Sequence, residues 1–240
     1  MARREKKLNL TTKEKHQLAK TISKRLIGEY SVISRSWAMY KAGNGWKEED
    51  RKKLRNKLKD TIESHGYVTA LDAFAGKTAL GVYTMIDKGV DAYSLNKLKS
   101  CLNCCEVRKM FAKDAESWPP IPDIEDETYR QERKDRSNEL VLQKIENLIS
   151  GISKFLKNDI AKQLKKTRNG VLAHNLDISP DQIEYVQIDD AFKKIGELVA
   201  AAELVTEGTF WNIDNEFKKH LEGANVFWDT FERGLDKTSK

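Results

Sequence analysis

Apolar residues recur every three or four positions along most of this 240-residue chain, which is the spacing of one face of an α-helix. The first such stripe predicts a helix that begins at Thr11 or Thr12 and runs to about Ala42, where the Gly-Asn-Gly sequence at 43–45 stops it. No stretch shows the sustained alternation of apolar and polar residues that is typical of a half-buried strand. The pattern therefore predicts an all-α protein.

Six further segments carry the same helical pattern. They cover about residues 47–65, 67–87, 94–116, 126–167, 189–207 and 213–233. In the second helix, Leu54, Leu58 and Ile62 form one apolar stripe, and Gly66 is predicted to end that helix. The third segment is apolar nearly all round, so we expect this helix to be central and buried. Ser94 is predicted to cap the fourth helix.

About seven helices of this kind predict a helical bundle. The simplest organisation is a single domain over residues 1–240. The sequence WPPIP at 118–122 is predicted to form a loop, because proline removes backbone donors and restricts the residue before it. This loop offers the alternative organisation, in which it separates an N-terminal helical part from the C-terminal half.

Composition limits the class of protein and its location. Hydrophobic residues make up 39% and charged residues 33% of the chain, which is polar for a globular protein but unlike a disordered one. No apolar run approaches the roughly 18 residues of a membrane span, and the N-terminus lacks the apolar region of a signal peptide. We therefore expect a cytoplasmic protein that makes no membrane contact.

Charge is distributed unevenly along the chain, whose net charge is +6. Residues 1–60 carry 18 Lys and Arg against 7 Asp and Glu, whereas residues 177–236 carry 5 against 14. A basic half favours contact with the phosphates of a nucleic acid. The alternative is that basic and acidic helix faces pair with each other across the fold, and the sequence leaves both interpretations open.

Two tempting motifs carry little weight. The Gly-Lys-Thr sequence at 76–78 lacks the earlier glycine and the preceding strand of a phosphate-binding loop. Cys101, Cys104 and Cys105 lack a second cysteine or histidine pair at zinc spacing, and we interpret them as small buried residues of a helix. We expect neither a metal nor a cofactor.

The stretch TRNGVLAHNL at 167–176 is the remaining candidate site. On one regular helix, Arg168 and His174 would lie about 240° apart in rotation and about 9 Å apart in rise, so they would not converge. Asn169-Gly170 offers a helix end, after which both side chains can face one cleft, or each can meet its copy across a two-fold axis. The alternative is a plain helix cap followed by a hydrogen-bonded turn histidine.

This stretch resembles the Arg-polar-x4-His signature of the HEPN superfamily of helical proteins, many of which are ribonucleases. The segment ALGVYTMIDKGVDAYSLNKLKSCL at 79–102 resembles the central helix and the next helix start of the AbiU-type, abortive-infection branch. The segment LKKTRNGVLAHNLDISPDQIEY at 164–185 then matches in order. The resemblance covers most of residues 15–235 and implies an all-α, HEPN-like fold.

The resemblance also implies a specific site. HEPN ribonucleases work without metal, as dimers in which the arginine and histidine of both copies line one cleft. Carried over to this chain, Arg168 and His174 are the catalytic pair and Asn169 is the polar helper. A histidine near its ordinary pKa of about 6.5 can exchange protons with RNA oxygens, and a planar guanidinium suits the phosphorane oxygens. The expected products carry 2′,3′-cyclic phosphate and 5′-hydroxyl ends.

Three lysines precede the motif, namely Lys162, Lys165 and Lys166. They are candidates for contacts with RNA phosphates, or alternatively they only complement the C-terminal end of the helix dipole. Leu176 stands where some HEPN proteins carry a modifiable tyrosine, which argues against that form of control.

The expected partners are RNA, a second copy of the chain, and an antitoxin or other partner from a phage-defence or toxin–antitoxin system. The second interpretation of the whole chain is a catalytically silent helical module that binds RNA or protein. The third is a purely structural interaction module.

Overall fold

The computed structural model describes residues 10–45, 51–89, 92–118, 127–173 and 184–238, with the backbone alone for 127–137, 169–173 and 236–238. Nine helices and no strand lie within these ranges: α1 Thr12–Asn44, α2 Lys52–Leu58, α3 Ile62–Ile86, α4 Leu95–Leu102, α5 Cys105–Ala115, α6 Glu127–Lys157, α7 Asp159–Ala173, α8 Tyr185–Glu207 and α9 Ile213–Thr238. The all-α class is confirmed. Among the described helices, none has the length and apolar character that crossing a bilayer requires.

Local sequence signals set several helix ends as predicted. At the start of α1, Thr11 Oγ1 accepts the Glu14 N–H at 3.3 Å, and the Glu14 carboxylate accepts the Thr11 N–H at 2.7 Å, which is a reciprocal capping box. Ser94 Oγ caps α4 by accepting the Lys97 N–H at 3.3 Å. Gly45 follows α1 with a φ of 84°, a left-handed conformation that glycine adopts without strain.

The described part of the chain has nine helices where the sequence predicts about seven, because two segments are broken internally. Segment 94–116 divides at Cys104, whose extended backbone (ψ 119°) precedes α5. Segment 126–167 divides at Asn158, whose side chain accepts the Ile160 N–H at 3.3 Å and so caps α7. A break of one or two residues barely disturbs the apolar spacing, so periodicity does not reveal it.

The boundary between α2 and α3 lies before the predicted one. After α2 ends at Leu58, Asp60 takes a φ of 63°, which aspartate tolerates better than most residues. α3 begins at Ile62 and continues through Gly66, so the prediction that Gly66 ends a helix is wrong. Leu54 and Leu58 are buried as predicted, but Ile62 is 83% exposed because it opens the next helix instead of continuing the stripe.

α3 is less buried than its composition suggests. In its first half Val68 and Asp72 are exposed, so the prediction of a helix buried all round is wrong there. Towards its end Val82 and Met85 are buried, as predicted. The polar side chains interspersed in the first half mark the face that stays in solvent.

The described chain divides into two compact units whose segments alternate along the sequence. Unit 1 takes its residues from Met1–Gly28, Thr84–Lys162 and Lys194–Trp211, and unit 2 from Glu29–Tyr83, Gln163–Lys193 and Asn212–Lys240. In unit 1, helices α4, α5 and α6 contact one another, and Leu98, Phe111 and Ile145 are fully buried. The core of unit 2 is aromatic, with Trp37 and Phe192 buried at its centre. α1, α3, α7 and α8 contribute residues to both units.

Part of the basic charge in the first 60 residues pairs with acidic residues from the last quarter of the chain. Arg51 is 6% exposed and donates to the Asp229 carboxylate at 2.6 Å. The Lys41 ammonium lies 2.5 Å from the Asp189 carboxylate. For these residues the uneven charge serves internal pairing, which is the second of the two interpretations that the sequence allows.

Candidate functional site

Helix α7 carries the arginine of the predicted site. One stripe of this helix is buried through Ala161 and Leu164, which are 6% and 1% exposed. Arg168 follows Ala161 by seven residues and Leu164 by four, so it lies on the same stripe. The helical register therefore directs Arg168 towards the interior of unit 2, where its side chain is half-buried.

Arg168 lies against an aromatic ring of α3. Its Cζ is 5.0 Å from the centroid of the Tyr83 ring, and Tyr83 is 7% exposed. This distance is within the range of a cation–π contact, which holds the guanidinium at the ring. The N–H donors of the guanidinium are the groups that bind phosphate oxygens. Sequence spacing gave no indication of Tyr83, because the two residues come from distant helices.

The three lysines of the prediction lie on the outer side of α7. Lys162, Lys165 and Lys166 are exposed and fall within about 100° of one another around the helix. Lys162 pairs with Asp159 at 2.7 Å, and this hydrogen bond lowers the pKa of the Asp159 carboxyl. Lys165 is the nearest of the three to Arg168, about 60° away around the helix. The lysines thus share one face of α7, and Arg168 lies beyond the edge of this face that Lys165 forms.

Helix α7 continues through Asn169-Gly170 to Ala173. The predicted helix end at this dipeptide, and with it the plain helix cap, is therefore wrong. A glycine inside a helix costs only about 1 kcal/mol relative to alanine, which the packing of the Leu164 stripe offsets. The three lysines consequently lie in the first two turns of α7, and its last turn has no basic residue. They do not complement the C-terminal end of the dipole.

The structure describes only the backbone of Asn169 and no part of His174, the other two residues of the predicted catalytic site. Asn169 lies within α7, but its side chain is outside the described residues, and so is all of His174. The pairing of Arg168 with His174 therefore stays a prediction.

An aromatic stack that the sequence analysis missed lies in the same unit as Arg168. The rings of Trp37 and Tyr40 are 4.9 Å apart and nearly parallel, at 12°. The ring of Tyr185 stacks on Tyr40 at 4.8 Å and 24°, and its hydroxyl donates to Asp72 at 2.8 Å. Trp37 and Tyr40 are three residues apart on α1, which signals a shared face, but Tyr185 comes from α8 and no spacing connects it to them.

Asp189 joins this stack to two lysines. Trp37 Nε1 donates to its carboxylate at 2.7 Å, and the Lys41 and Lys193 ammonium groups lie at 2.5 and 2.8 Å. Burial alone raises the pKa of Asp189, but the hydrogen bonds from Lys193, Lys41 and Trp37 outweigh it, so the pKa falls below its usual range. The carboxylate is therefore ionised at neutral pH.

Unit 2 also contains a pocket of about 350 Å³ that is lined by Lys41, Ala42, Gly45, Arg51, Leu221, Asn225 and Asp229. Its polar lining includes Arg51. The guanidinium donates to the Ala42 carbonyl at 2.8 Å, to Asp229 at 2.6 Å and to Asn225 at 3.2 Å. These bonds connect α1 with α9, so Arg51 serves the fold at this place.

The three cysteines differ in their exposure. Cys101 is buried as predicted, but Cys104 is half-buried and Cys105 is exposed, because the helix breaks between α4 and α5. Within the described ranges, no three His, Cys, Asp or Glu side chains cluster as metal ligands would.

Comparison with known families gives one finding. The HEPN family model AbiU2 matches residues 17–214, which extend from α1 to the start of α9 and include the whole TRNGVLAHNL stretch. No curated protein and no solved structure matches the chain.

Proposed function

The chain belongs to the AbiU2 family of HEPN proteins, and from this membership we propose that it is a metal-independent endoribonuclease of a prokaryotic defence or toxin system. The observation that carries the proposal is the match over residues 17–214, because it spans the motif from Arg168 to His174. In the proposed enzyme, two copies of the chain form a homodimer whose arginines and histidines line one cleft. Asn169 is the polar helper.

Two features of α7 support a site for phosphate on this helix. The Tyr83 ring lies 5.0 Å from the Arg168 Cζ, and this contact limits the freedom that the side chain would lose on binding. Lys165 is exposed about 60° from Arg168 around the helix, and Lys166 is exposed farther around it, so both can attract the flanking phosphates of an RNA strand. In this proposal Arg168 binds the reacting phosphate, and the lysines bind other phosphates along the RNA backbone.

The proposed reaction is an attack by the RNA 2′-hydroxyl on the adjacent phosphorus. A neutral His174 takes the proton of the 2′-hydroxyl while the new O–P bond forms. The Arg168 guanidinium binds the equatorial oxygens as negative charge develops on them. The bond to the 5′-oxygen then breaks, and the protonated His174 of the other copy gives its proton to that oxygen. A 2′,3′-cyclic phosphate and a 5′-hydroxyl result.

The decisive experiment incubates the purified chain with total tRNA and mRNA in EDTA and determines the chemistry of the new RNA ends. We expect the wild type to leave cyclic-phosphate ends, and Arg168→Ala and His174→Ala to cut at least about 100-fold more slowly, as the loss of a proton donor or phosphorane ligand usually entails. His65→Ala is the matched control, because His65 is an exposed histidine outside the motif.

The outcome discriminates between the proposed enzyme and the silent binding module. The observation that favours the module is the position of Arg168 on the stripe of Ala161 and Leu164, where a cation–π contact also contributes to packing. If neither wild type nor variants cut RNA although all fold and dimerise, and Arg168→Ala retains salt-sensitive RNA binding, the module is the correct function.

A further inference from the structure

Three aromatic rings form a continuous stack that begins in the core of unit 2 and ends at solvent. Trp37 is 1% exposed, Tyr40 is 7% exposed and Tyr185 is 47% exposed. Tyr40 covers one face of the Tyr185 ring, and nearly half of the residue remains exposed to solvent. A flat group that reaches this surface meets a ring already aligned with the two below it.

The outermost ring is held in place before any ligand arrives. Its inner face packs on Tyr40, and its hydroxyl is bound to the Asp72 carboxylate at 2.8 Å. A side chain that is fixed at both ends loses little rotational freedom when it contacts a ligand, so more of the stacking energy appears as affinity.

Tyr185 and Arg168 are both attached to one face of α3. Tyr185 contacts Asp72, and Arg168 lies over Tyr83. Asp72 and Tyr83 are eleven residues apart, which corresponds to three turns with only about 20° of angular offset and a rise of about 16 Å. About five stacked nucleotides, or fewer in an extended strand, cover this distance.

We propose that Tyr185 is a nucleobase-stacking residue that holds single-stranded RNA at the exposed Asp72 end of α3, with the phosphate backbone continuing to Arg168. The proposal rests on the ribonuclease function proposed above and specifies its substrate as RNA with unpaired bases. An aromatic ring accepts the flat face of any base, so the contact selects single-stranded over paired RNA with little preference for sequence.

The charges around the ring favour a base over a phosphate as its ligand. The carboxylate of Asp72 is bound to the Tyr185 hydroxyl and repels a phosphate at that edge. The nearby Lys41 and Lys193 ammonium groups are both paired with Asp189. The ring therefore offers stacking, whereas the phosphate contacts fall to α7 with Arg168.

The test measures the affinity of the full chain for an RNA of about 12 nucleotides with 2′-O-methyl groups, which prevent cleavage, by fluorescence anisotropy. We expect Tyr185→Ala to weaken binding about 5- to 100-fold, because one base–aromatic stack is lost. Tyr185→Phe, which keeps the ring, should stay within about 3-fold of wild type. Tyr93→Ala is the matched control, because Tyr93 is a 39% exposed tyrosine of unit 1 that packs against Arg25.

Each other outcome contradicts the proposal in a distinguishable way. If wild type and Tyr185→Ala bind RNA equally, stacking at Tyr185 is wrong and the proposed ribonuclease function stands. If a folded, dimeric wild type neither binds nor cuts RNA, both proposals are wrong. If Tyr185→Ala is monomeric by size-exclusion chromatography where Tyr185→Phe is dimeric, Tyr185 contacts a protein copy instead of a base.

Discussion

At the scale of single residues, Asp189 shows how one carboxylate organises a cluster of cations and rings. Trp37, Lys41 and Lys193 all converge on it, and its side chain is only 18% exposed. We expect Asp189→Asn to lower the free energy of unfolding at pH 7 by about 1–3 kcal/mol, because two ammonium groups lose their anionic partner. Urea unfolding measures the change.

The pH dependence of this change follows from the lowered pKa of Asp189. A carboxyl whose pKa is lowered by folding stabilises the native state above its unfolded pKa of about 3.9, and this stabilisation disappears as pH falls through the native pKa. The difference between wild type and Asp189→Asn should therefore vanish in acid. Asp190→Asn is the control, since Asp190 is exposed and its loss should change stability by no more than about 0.5 kcal/mol. A constant difference across the pH range would contradict the assignment.

The candidate site was partly predictable at this scale. Arg168 stands out in the sequence because an arginine and a histidine flank a short polar and apolar stretch in a recognisable order. Tyr83 and Tyr185 do not, because a contact between helices that are distant in sequence leaves no local pattern. The partners of Arg168 are set by how α7 packs on α3, which is decided by tertiary structure.

At the scale of helices, two of the three glycines of α3 lie in opposite surroundings. A Cβ at Gly81 would lie 2.1 Å from Ile33 Cγ2 on α1, whereas a Cβ at Gly76 would meet nothing within 4 Å. We expect Gly81→Ala to destabilise the chain by about 1–3 kcal/mol, because Ile33 is β-branched and its methyl group cannot move aside without shifting the helix.

Gly76→Ala provides the matched control on the same helix. Alanine has the higher helix propensity, so this change should stabilise the chain by up to about 1 kcal/mol. Thermal or urea unfolding of both variants measures the effects. Equal changes in the same direction would show that α1 and α3 do not approach as closely as the Gly81 contact requires.

The same helices show what the apolar pattern can and cannot determine. It identified each helical segment, because a buried stripe must recur every three or four residues. It did not determine the role of individual glycines, since Gly45 takes a positive φ after α1 while Gly66 stays within α3. It also missed Asn158, which caps α7 by accepting one hydrogen bond from the Ile160 N–H. Such boundaries depend on single polar contacts, to which periodicity is insensitive.

At the scale of the whole molecule, fewer basic groups are available to bind a nucleic acid than the count of basic residues suggests. Arg51 and Lys41 in the basic part are bound to Asp229 and Asp189. Residues paired in this way release few counterions when a nucleic acid approaches. An RNA ligand therefore has to draw on exposed basic groups, and on α7 these include Lys165 and Lys166.

This division of charge makes the salt dependence of RNA binding a direct measure of the α7 lysines. Replacing both Lys165 and Lys166 by glutamine should reduce the slope of log affinity against log salt by about two, because each phosphate contact contributes about one. Lys109→Gln is the control, since Lys109 is an exposed lysine of α5 that already pairs with Glu106 at 3.0 Å. An unchanged slope in the double variant would mean that RNA does not lie along α7, and the phosphate contacts would have to be sought on the exposed Lys52 and Lys53 of α2.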